Sequence, residues 1–545
     1  MVETWAIVGL SIAFCFGLAV VLALPWLRVA QREHYIPGWV GRIALGWGAA
    51  KPLTWWPLVL ATVGFYFPVY WLAWQGVSYF FSGLAIALGL AAFWPWGLGF
   101  RGRSAKLQWT SRLRRLSAIW VFTYILGQAG LILIQYFLLQ LFVSIFSVEG
   151  WELGYAGAYL WFIALAISCV FVPVFSAPFL MDLSLLIAKP IEKSISKKWL
   201  IAAQKKLKQV RPQVVAITGS YGKTSTKGYA AHLLATKFQV VPSPASFNNL
   251  LGLSRAVNDK LAPGTEVFVA EMGVYGEGEI RELSKSFPPD IAAITVIGES
   301  HLSRMKNRET VLRAKSEIVE QAKTVVLPID DPDLAALAND CEGQGKRVVR
   351  VSASGKKADV IFDPAKETLA IGSEKTNLKL PTVQHAVNLV VAVGIAHALG
   401  IPLKTFASRL ENLPTAAHRA EVQTAPSGAL VIDDSYNANP VGAASAITGG
   451  ADLANQRTGN LVVVTPGLIE FGDVQKERNR ELAEQVKKVG GELFVVGYTN
   501  RKALLSGFPE AKVFKNRQTA MAAAFERAGG TGVILVENDL PDHYV

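Results

Sequence analysis

The sequence predicts an α-helical membrane domain followed by two α/β domains. Three observations carry this. Residues 1–180 are dense in Trp, Phe, Leu, Ala and Ile, in runs long enough to cross a bilayer. After them, short β-branched runs alternate with helical patterns in two successive series. The length of 545 residues suits three or four units of ~150 residues each. The mean hydropathy of +0.31 is then the average of an apolar part and a soluble part.

A span needs about 20 apolar residues, and five segments qualify, roughly 4–27, 55–74, 77–100, 116–143 and 154–180. Trp55, Trp56, Trp94, Trp96 and Trp151 fall near span ends, where interfacial aromatics sit. The first span does not read as a secretory leader, because Glu3 and no Lys or Arg precedes it. The loop at 28–54 carries Arg28, Arg32, Arg42 and Lys51 against Glu33; that at 101–115 carries Arg101, Arg103, Lys106, Arg112, Arg114 and Arg115. The loop at 144–153 carries Glu149 and Glu152 and no base. An outside N-terminus and five spans put both basic loops, and all that follows residue 180, on the cytoplasmic side of the cell membrane. Deep ionisable residues, which ion-coupled transport needs, are missing from the spans. The segment reads as an anchor or a platform for a lipid substrate.

In residues 181–211, Lys189, Lys193, Lys197, Lys198, Lys205, Lys206 and Lys208 alternate with Ile191, Ile195, Leu200, Ile201 and Leu207. This pattern predicts an amphipathic helix on inner-leaflet lipids, against the plainer reading of a solvated linker. The net charge of +12 gathers beside apolar runs, which points to anionic lipid and not to nucleic acid. Cys15, Cys169 and Cys341 are too scattered for a disulfide framework or a metal knuckle.

Residues 212–412 predict a doubly wound domain, with "QVVAIT", "EVFVAEM", "IAAITVI" and "TVVLPI" as buried parallel strands. Residues 413–545 predict a second, Rossmann-like domain on "ALVIDD", "NLVVVT", "ELFVVG" and "GVILVE". Pro402 and Pro414 flank the join.

The first strand runs into "TGSYGKTS", Thr218 to Ser225. Glycines after a buried strand let backbone N–H groups face an anion, and the helix that follows adds its positive end. Lys223 suits the β- and γ-phosphates, and the Thr224 hydroxyl suits Mg2+. The spacing departs from G-x-x-x-x-G-K-[ST], since Ile217 stands where the first glycine would be. Glu271 and His301 follow the ends of later strands, at the edge where ligand crevices form. Either alone would be an ordinary surface residue; together they could hold a second metal. Spacing alone makes Lys315, with Glu317 and Glu320 nearby, a solvated helix face. In "VIDDSYNANP", Asp434 could hold a ribose or a metal-bound water, or the turn could simply cap a helix that Pro440 begins. Arg419 could reach phosphate.

These motifs together resemble the Mur ligase family, and within it the branch of UDP-N-acetylmuramoyl-tripeptide D-alanyl-D-alanine ligases. "ITGSYGKTSTK", "SFNNLLGL", "VAEMG", "SHL", "AKSEI", "HRAEV" and "DDSYNANP" carry the likeness across roughly 200–545. That family uses T-G-x-x-G-K-[ST], so Ile217 is in order. The resemblance implies that Thr218, Gly219, Ser220, Gly222, Lys223, Thr224 and Ser225 cradle ATP and one Mg2+. It implies that Glu271 and His301 bind a second Mg2+, supported by a carbamate on Lys315. It implies that Asn388 meets adenine, and that Arg419 and Asp434 arrive from the last domain. Asn248, Asn249, Tyr436, Asn437 and Asn439 would lie near substrate. The adenine-side motif is altered to "VQHAVN", where only Asn388 keeps its place and His385 has no assigned role. Where the family has a domain for the UDP-sugar, this sequence has its apolar spans.

The resemblance implies an ATP-dependent amide ligase working through an acyl phosphate. The acceptor would be the carboxylate of an envelope precursor, lipid-linked on this reading, and the donor an amino acid or short peptide amine. A poly-γ-glutamate synthase-like ligase is one alternative. A transporter or scaffold with a fused ATP-binding domain is another. Amidotransferase relatives with a four-cysteine zinc insert do not fit, because Cys341 stands alone in the soluble part.

Overall fold

The computed structural model describes residues 21, 23–33, 35–50, 55–57, 59–61, 94, 107–146, 172–245, 247–273, 276–299, 302–380, 386–414, 421–435 and 439–540. They fall into two compact units, Met1–Ser194 with Leu540–Val545, and Ile195–Asp539.

The first unit is helical, built from α1 (Trp39–Ala50), α2 (Ser111–Phe146) and the start of α3 (Val172–Val210). The expected span at 116–143 lies within α2, and the end of that at 154–180 within α3; the other three fall largely outside the described residues. Among the described residues one helix, Val174–Val210, is long and apolar enough to cross a membrane. The 36 residues of α2 extend about 54 Å at about 1.5 Å per residue. Phe122, Ile125, Leu126, Leu133, Ile134, Phe137 and Leu141 stand exposed along it. Trp94, expected near a span end, is buried by protein, with ring centroids 5.8 Å from Trp26, 5.5 Å from Trp55 and 5.7 Å from Phe175. Tilted aromatic pairs at such distances stabilise a packed core.

Residue 180, the expected end of the membrane segment, is interior to α3. Within the second unit, Ala203 of this helix is fully buried, and Leu200, Leu207 and Val210 pack against the core of the domain that follows. Lys206 Nζ donates to Asn258 O at 2.7 Å. Part of the apolar face expected to lie on lipid is therefore spent on protein, while Ile191, Trp199 and Ile201 stay exposed.

The second unit holds two sheets. The larger has nine strands in the order β2-β3-β1-β4-β5-β6-β7-β8-β9. Its expected strands are β1 (Gln213–Thr218), β3 (Val267–Glu271), β4 (Ile291–Ile294) and β5 (Thr324–Pro328), all parallel. Alternate residues of β1 serve two cores: Val214 and Ala216 one, Val215 and Ile217 the other. Burial on both faces is why these runs lack polar alternation. The sheet also has β2 (Val240–Pro242), β6 (Arg347–Ser352) and an antiparallel extension, β7 (Val360–Asp363), β8 (Thr368–Ile371) and β9 (Glu374–Asn377). Those last strands are not evident from the sequence because each is only four residues long and "EKTN" has no apolar residue.

The smaller sheet has the order β10-β11-β15-β12-β13-β14. The expected strands are β11 (Leu430–Asp434), β12 (Leu461–Thr465), β13 (Glu492–Val496) and β15 (Val533–Glu537). Antiparallel β10 (Glu421–Thr424) and parallel β14 (Lys512–Phe514) complete its edges. The segment after β12 is held by three asparagines. Asn479 Oδ1 accepts from Leu468 N at 2.7 Å, and its Nδ2 donates to Leu468 O at 2.9 Å. Asn500 Nδ2 donates to Pro466 O at 3.1 Å, and Asn538 Nδ2 to Gly467 O at 2.6 Å. Asn479→Leu would leave the Leu468 N–H buried without an acceptor, a loss of about 1–3 kcal/mol. A lower denaturation midpoint is expected; an unchanged one would contradict the clasp.

Candidate active site

The phosphate loop joins β1 to α4 (Lys223–Leu234), at the carboxyl edge of the sheet. Two glycines set its path. Gly219 has φ +153° and Gly222 φ +76°. A Cβ on Gly219 would stand 1.9 Å from Thr295 Oγ1, and one on Gly222 1.9 Å from Asn388 Oδ1. The chain therefore excludes side chains at both positions, which leaves the backbone free to approach a phosphate. Thr218 Oγ1 donates to Met272 O at 2.8 Å. Ser220 Oγ donates to Gly298 O at 3.1 Å and accepts from Gly298 N at 2.9 Å. Both hydroxyls thus brace the loop. Lys223 Nζ folds back onto Gly219 O at 2.7 Å and Ser220 O at 3.2 Å, over the loop it would serve. Ser225 lies half-buried in the first turn of α4.

Glu271, the last residue of β3, is buried beside this loop. Its Oε2 accepts from Thr224 Oγ1 at 2.9 Å and Lys227 Nζ at 3.0 Å; its Oε1 accepts from Asn248 Nδ2 at 3.1 Å. Burial pushes this carboxyl up, but the Lys227 and Lys223 ammonium groups and the Lys227 and Thr224 hydrogen bonds outweigh it, holding Glu271 below the usual carboxylate range. Lys227 was not read from the sequence. Its signal was spacing: three and four residues past Thr224 and Lys223, it shares their helix face.

Lys315 lies in α8 (Arg308–Ser316), counting α5 (Leu250–Lys260), α6 (Glu279–Ser286) and α7 (Leu302–Met305) before it. It is 1 % exposed, so the solvated-face reading from spacing fails. Its supposed carboxylate neighbours turn elsewhere. Glu317 accepts from Gly278 N at 2.7 Å and Arg281 N at 3.0 Å at the start of α6, and Glu320 pairs with the Arg281 guanidinium. Burial, and then the charge of Lys223, pushes the Lys315 amine well down.

Other expected site residues divide into three groups. Asn249 and Asn439 accept from the third residue onward, Gly252 N at 2.9 Å and Gly442 N at 2.7 Å, and so cap the helices they precede. Asn388, buried in the helix Ala386–Ala398, lies against Gly222, and Asp434 is buried at the end of β11. His301, His385, Arg419, Tyr436 and Asn437 lie outside the described residues.

Among the described residues no three of His, Cys, Asp and Glu gather as a ligand set. The Thr224 hydroxyl and the ionised Glu271 do fit Mg2+, a hard cation that takes few protein oxygens and completes its shell with phosphate and water.

The second domain reaches this edge. Arg478, on the helix Gln475–Lys488, forks onto Glu299 at 2.6 and 2.9 Å. Glu299 raises the Tyr221 phenol further after burial has done so, and the Tyr221 ring lies against Gly298, where a Cβ would be 2.3 Å away.

Residues 217–396 match the Mur ligase middle domain, and 418–537 the Mur ligase, glutamate ligase domain. The chain is similar to the UDP-N-acetylmuramoyl-tripeptide–D-alanyl-D-alanine ligase of Bacillus subtilis (strain 168), 29% identical over 284 residues, covering 50% of this chain and 60% of that protein. It is 35% identical over 241 residues to the enzyme of that name from Mycobacterium tuberculosis (strain ATCC 25618 / H37Rv), covering 42% and 46%. The chain spans about half the length of the curated relatives it matches. Among solved structures, MurF from Acinetobacter baumannii aligns with TM-score 0.54 and 24% identity, covering 63% of this chain and 77% of that one. MurF ligase from Thermotoga maritima in complex with ADP aligns with TM-score 0.55 and 23% identity, covering 63% and 80%, so the fold is shared. Matched by two domains in order over more than half its length, the chain belongs to the Mur ligase family.

Proposed function

We propose that this chain is a membrane-held, ATP-dependent amide ligase that extends a peptidoglycan-type envelope precursor through an acyl phosphate. The observation that carries the reading is the convergence of a glycine phosphate loop, an ionised Glu271 and a buried, low-pKa Lys315 at one sheet edge. The acceptor carboxylate attacks the γ-phosphorus, the bond to the bridging oxygen breaks, and ADP leaves. Lys223, released from its own carbonyls, offsets charge on the phosphate oxygens. The donor amine then attacks the acyl carbon, and phosphate departs with the bonding pair. Thr224 and Glu271 would hold Mg2+, which supplies further charge neutralisation on those oxygens. A neutral Lys315 amine can add to carbon dioxide, forming an N–C bond and releasing a proton, to give the carbamate the family resemblance implies. With Arg419 and Asp434, the second domain would close over the nucleotide and exclude water from the acyl phosphate.

The relatives named above act on UDP-N-acetylmuramoyl-tripeptide and D-alanyl-D-alanine. For this chain we place the acceptor on a lipid carrier at the inner leaflet. The exposed apolar side chains of α2, and the length and composition of Val174–Val210, support that placement. Donor and acceptor would be told apart by mass spectrometry of envelope precursors from cells with and without the protein.

Lys223→Met should abolish amine-dependent ADP release and the acyl hydroxamate that hydroxylamine traps from the normal enzyme; hydroxamate formed at full rate by the variant would sink the mechanism. The full chain should stay with membranes through high salt and alkaline carbonate, and release into the supernatant would refute the anchor. For Lys315 the sign follows from its lowered pKa. Between that value and the ordinary lysine range the unfolded chain binds the extra proton, so stability rises with pH across this window. In bicarbonate-free buffer, Lys315→Met should raise the denaturation midpoint more at pH about 8 than at about 10. Equal gains would contradict the buried amine.

A further inference from the structure

We propose that Lys227 is the resident cation of the Glu271 site and makes uptake of a divalent metal there conditional on bound nucleotide. The inference rests on the ATP-binding reading above for what the nucleotide is, and on geometry for the rest.

Lys227 is nearly as buried as Glu271, with side-chain exposures of 6% and 2%. Its ammonium is fixed at two points, Ala245 O at 2.5 Å and Glu271 Oε2 at 3.0 Å. A buried carboxylate without a cation would be costly, and one with a nearby lysine is already compensated. Glu271 thus stays charged before any metal arrives. Its contacts are also taken: Oε2 receives Thr224 and Lys227, and Oε1 receives Asn248. A divalent ion bound to Glu271 must displace one of these donors or take the lone pair left on Oε1, and either way it sits close to a like charge in a poorly solvated place. With no nucleotide, that repulsion opposes loading. The polyphosphate adds several negative charges beside Lys223 and the first turn of α4, and the balance reverses. Because coupling between ligands is reciprocal, the same lysine makes nucleotide affinity depend on the metal. Lys227 is therefore a positioning residue. It touches Glu271, not the reacting atoms, and it orders the assembly of the site.

The test is a titration of the full chain with Mn2+, followed by electron paramagnetic resonance, with and without ADP. Lys227→Gln keeps an amide donor for Ala245 O and removes the charge; Lys227→Met removes both. Each is expected to bind Mn2+ at least tenfold tighter than the normal chain when nucleotide is absent, and to show a smaller enhancement when ADP is added. Lys227→Arg, which keeps the charge, is expected to stay within threefold of the normal chain. Unchanged Mn2+ affinity in nucleotide-free Lys227→Gln would overturn the proposal. So would equal tightening with and without ADP, or tightening in Lys227→Arg. The readout is metal binding, so a chain that binds ADP but forms no amide leaves this inference standing and sinks the ligase reading. Failure to bind ADP sinks both.

Discussion

One buried carboxylate organises the site. Glu271 ends a strand with apolar neighbours on both sides, where an isolated charge would be expensive. It is tolerable there because three side chains from two other segments converge on it. Thr224 and Lys227 come from the helix after the phosphate loop, and Asn248 from the turn after β2. The converse also holds. The helix and the turn are held in register because a single acceptor binds both. Removing the carboxylate would therefore release both segments at once, and leave a buried ammonium behind.

The parallel sheet makes this convergence possible. β3 and β4 flank β1 on its two sides, so the ends of three neighbouring strands deliver Glu271, the phosphate loop and the segment at Thr295–Gly298 to one edge. Ser220 and Thr218 tie the loop to those flanking strands through backbone carbonyls. The loop is thus braced by the sheet before any phosphate is present, which lowers the ordering that binding would otherwise require.

What the sequence disclosed follows from which forces are local. Strands such as "VVAIT" and "LVVVT" were legible because burial on both faces demands continuous apolar runs. The glycine loop was legible because its spacing fixes backbone shape. Lys315 was not, since nothing in "RAKSEIVE" says that Glu317 will cap one helix and Glu320 will pair with Arg281. The lysine itself lies in the interior, held there by the packing of its helix. Asn249 and Asn439, expected near substrate, each cap a helix through Oδ1, a role that the Asx-before-helix pattern already allowed. The basic helix was half legible. Its charges were plain, but that Leu200 and Leu207 would meet protein depends on a core assembled from distant residues.

Tyr221 and Gly298 carry a consequence for how this loop can change over generations. The tyrosine ring fills the space that any side chain at 298 would need. A methyl group at 298 is therefore admissible only after residue 221 has shrunk, while a smaller residue at 221 is admissible at once and leaves a void beneath Glu299. The two positions form a one-way street. Substitutions can accumulate in one order and not the other, so sequences that descend from this loop should change at 221 before they change at 298.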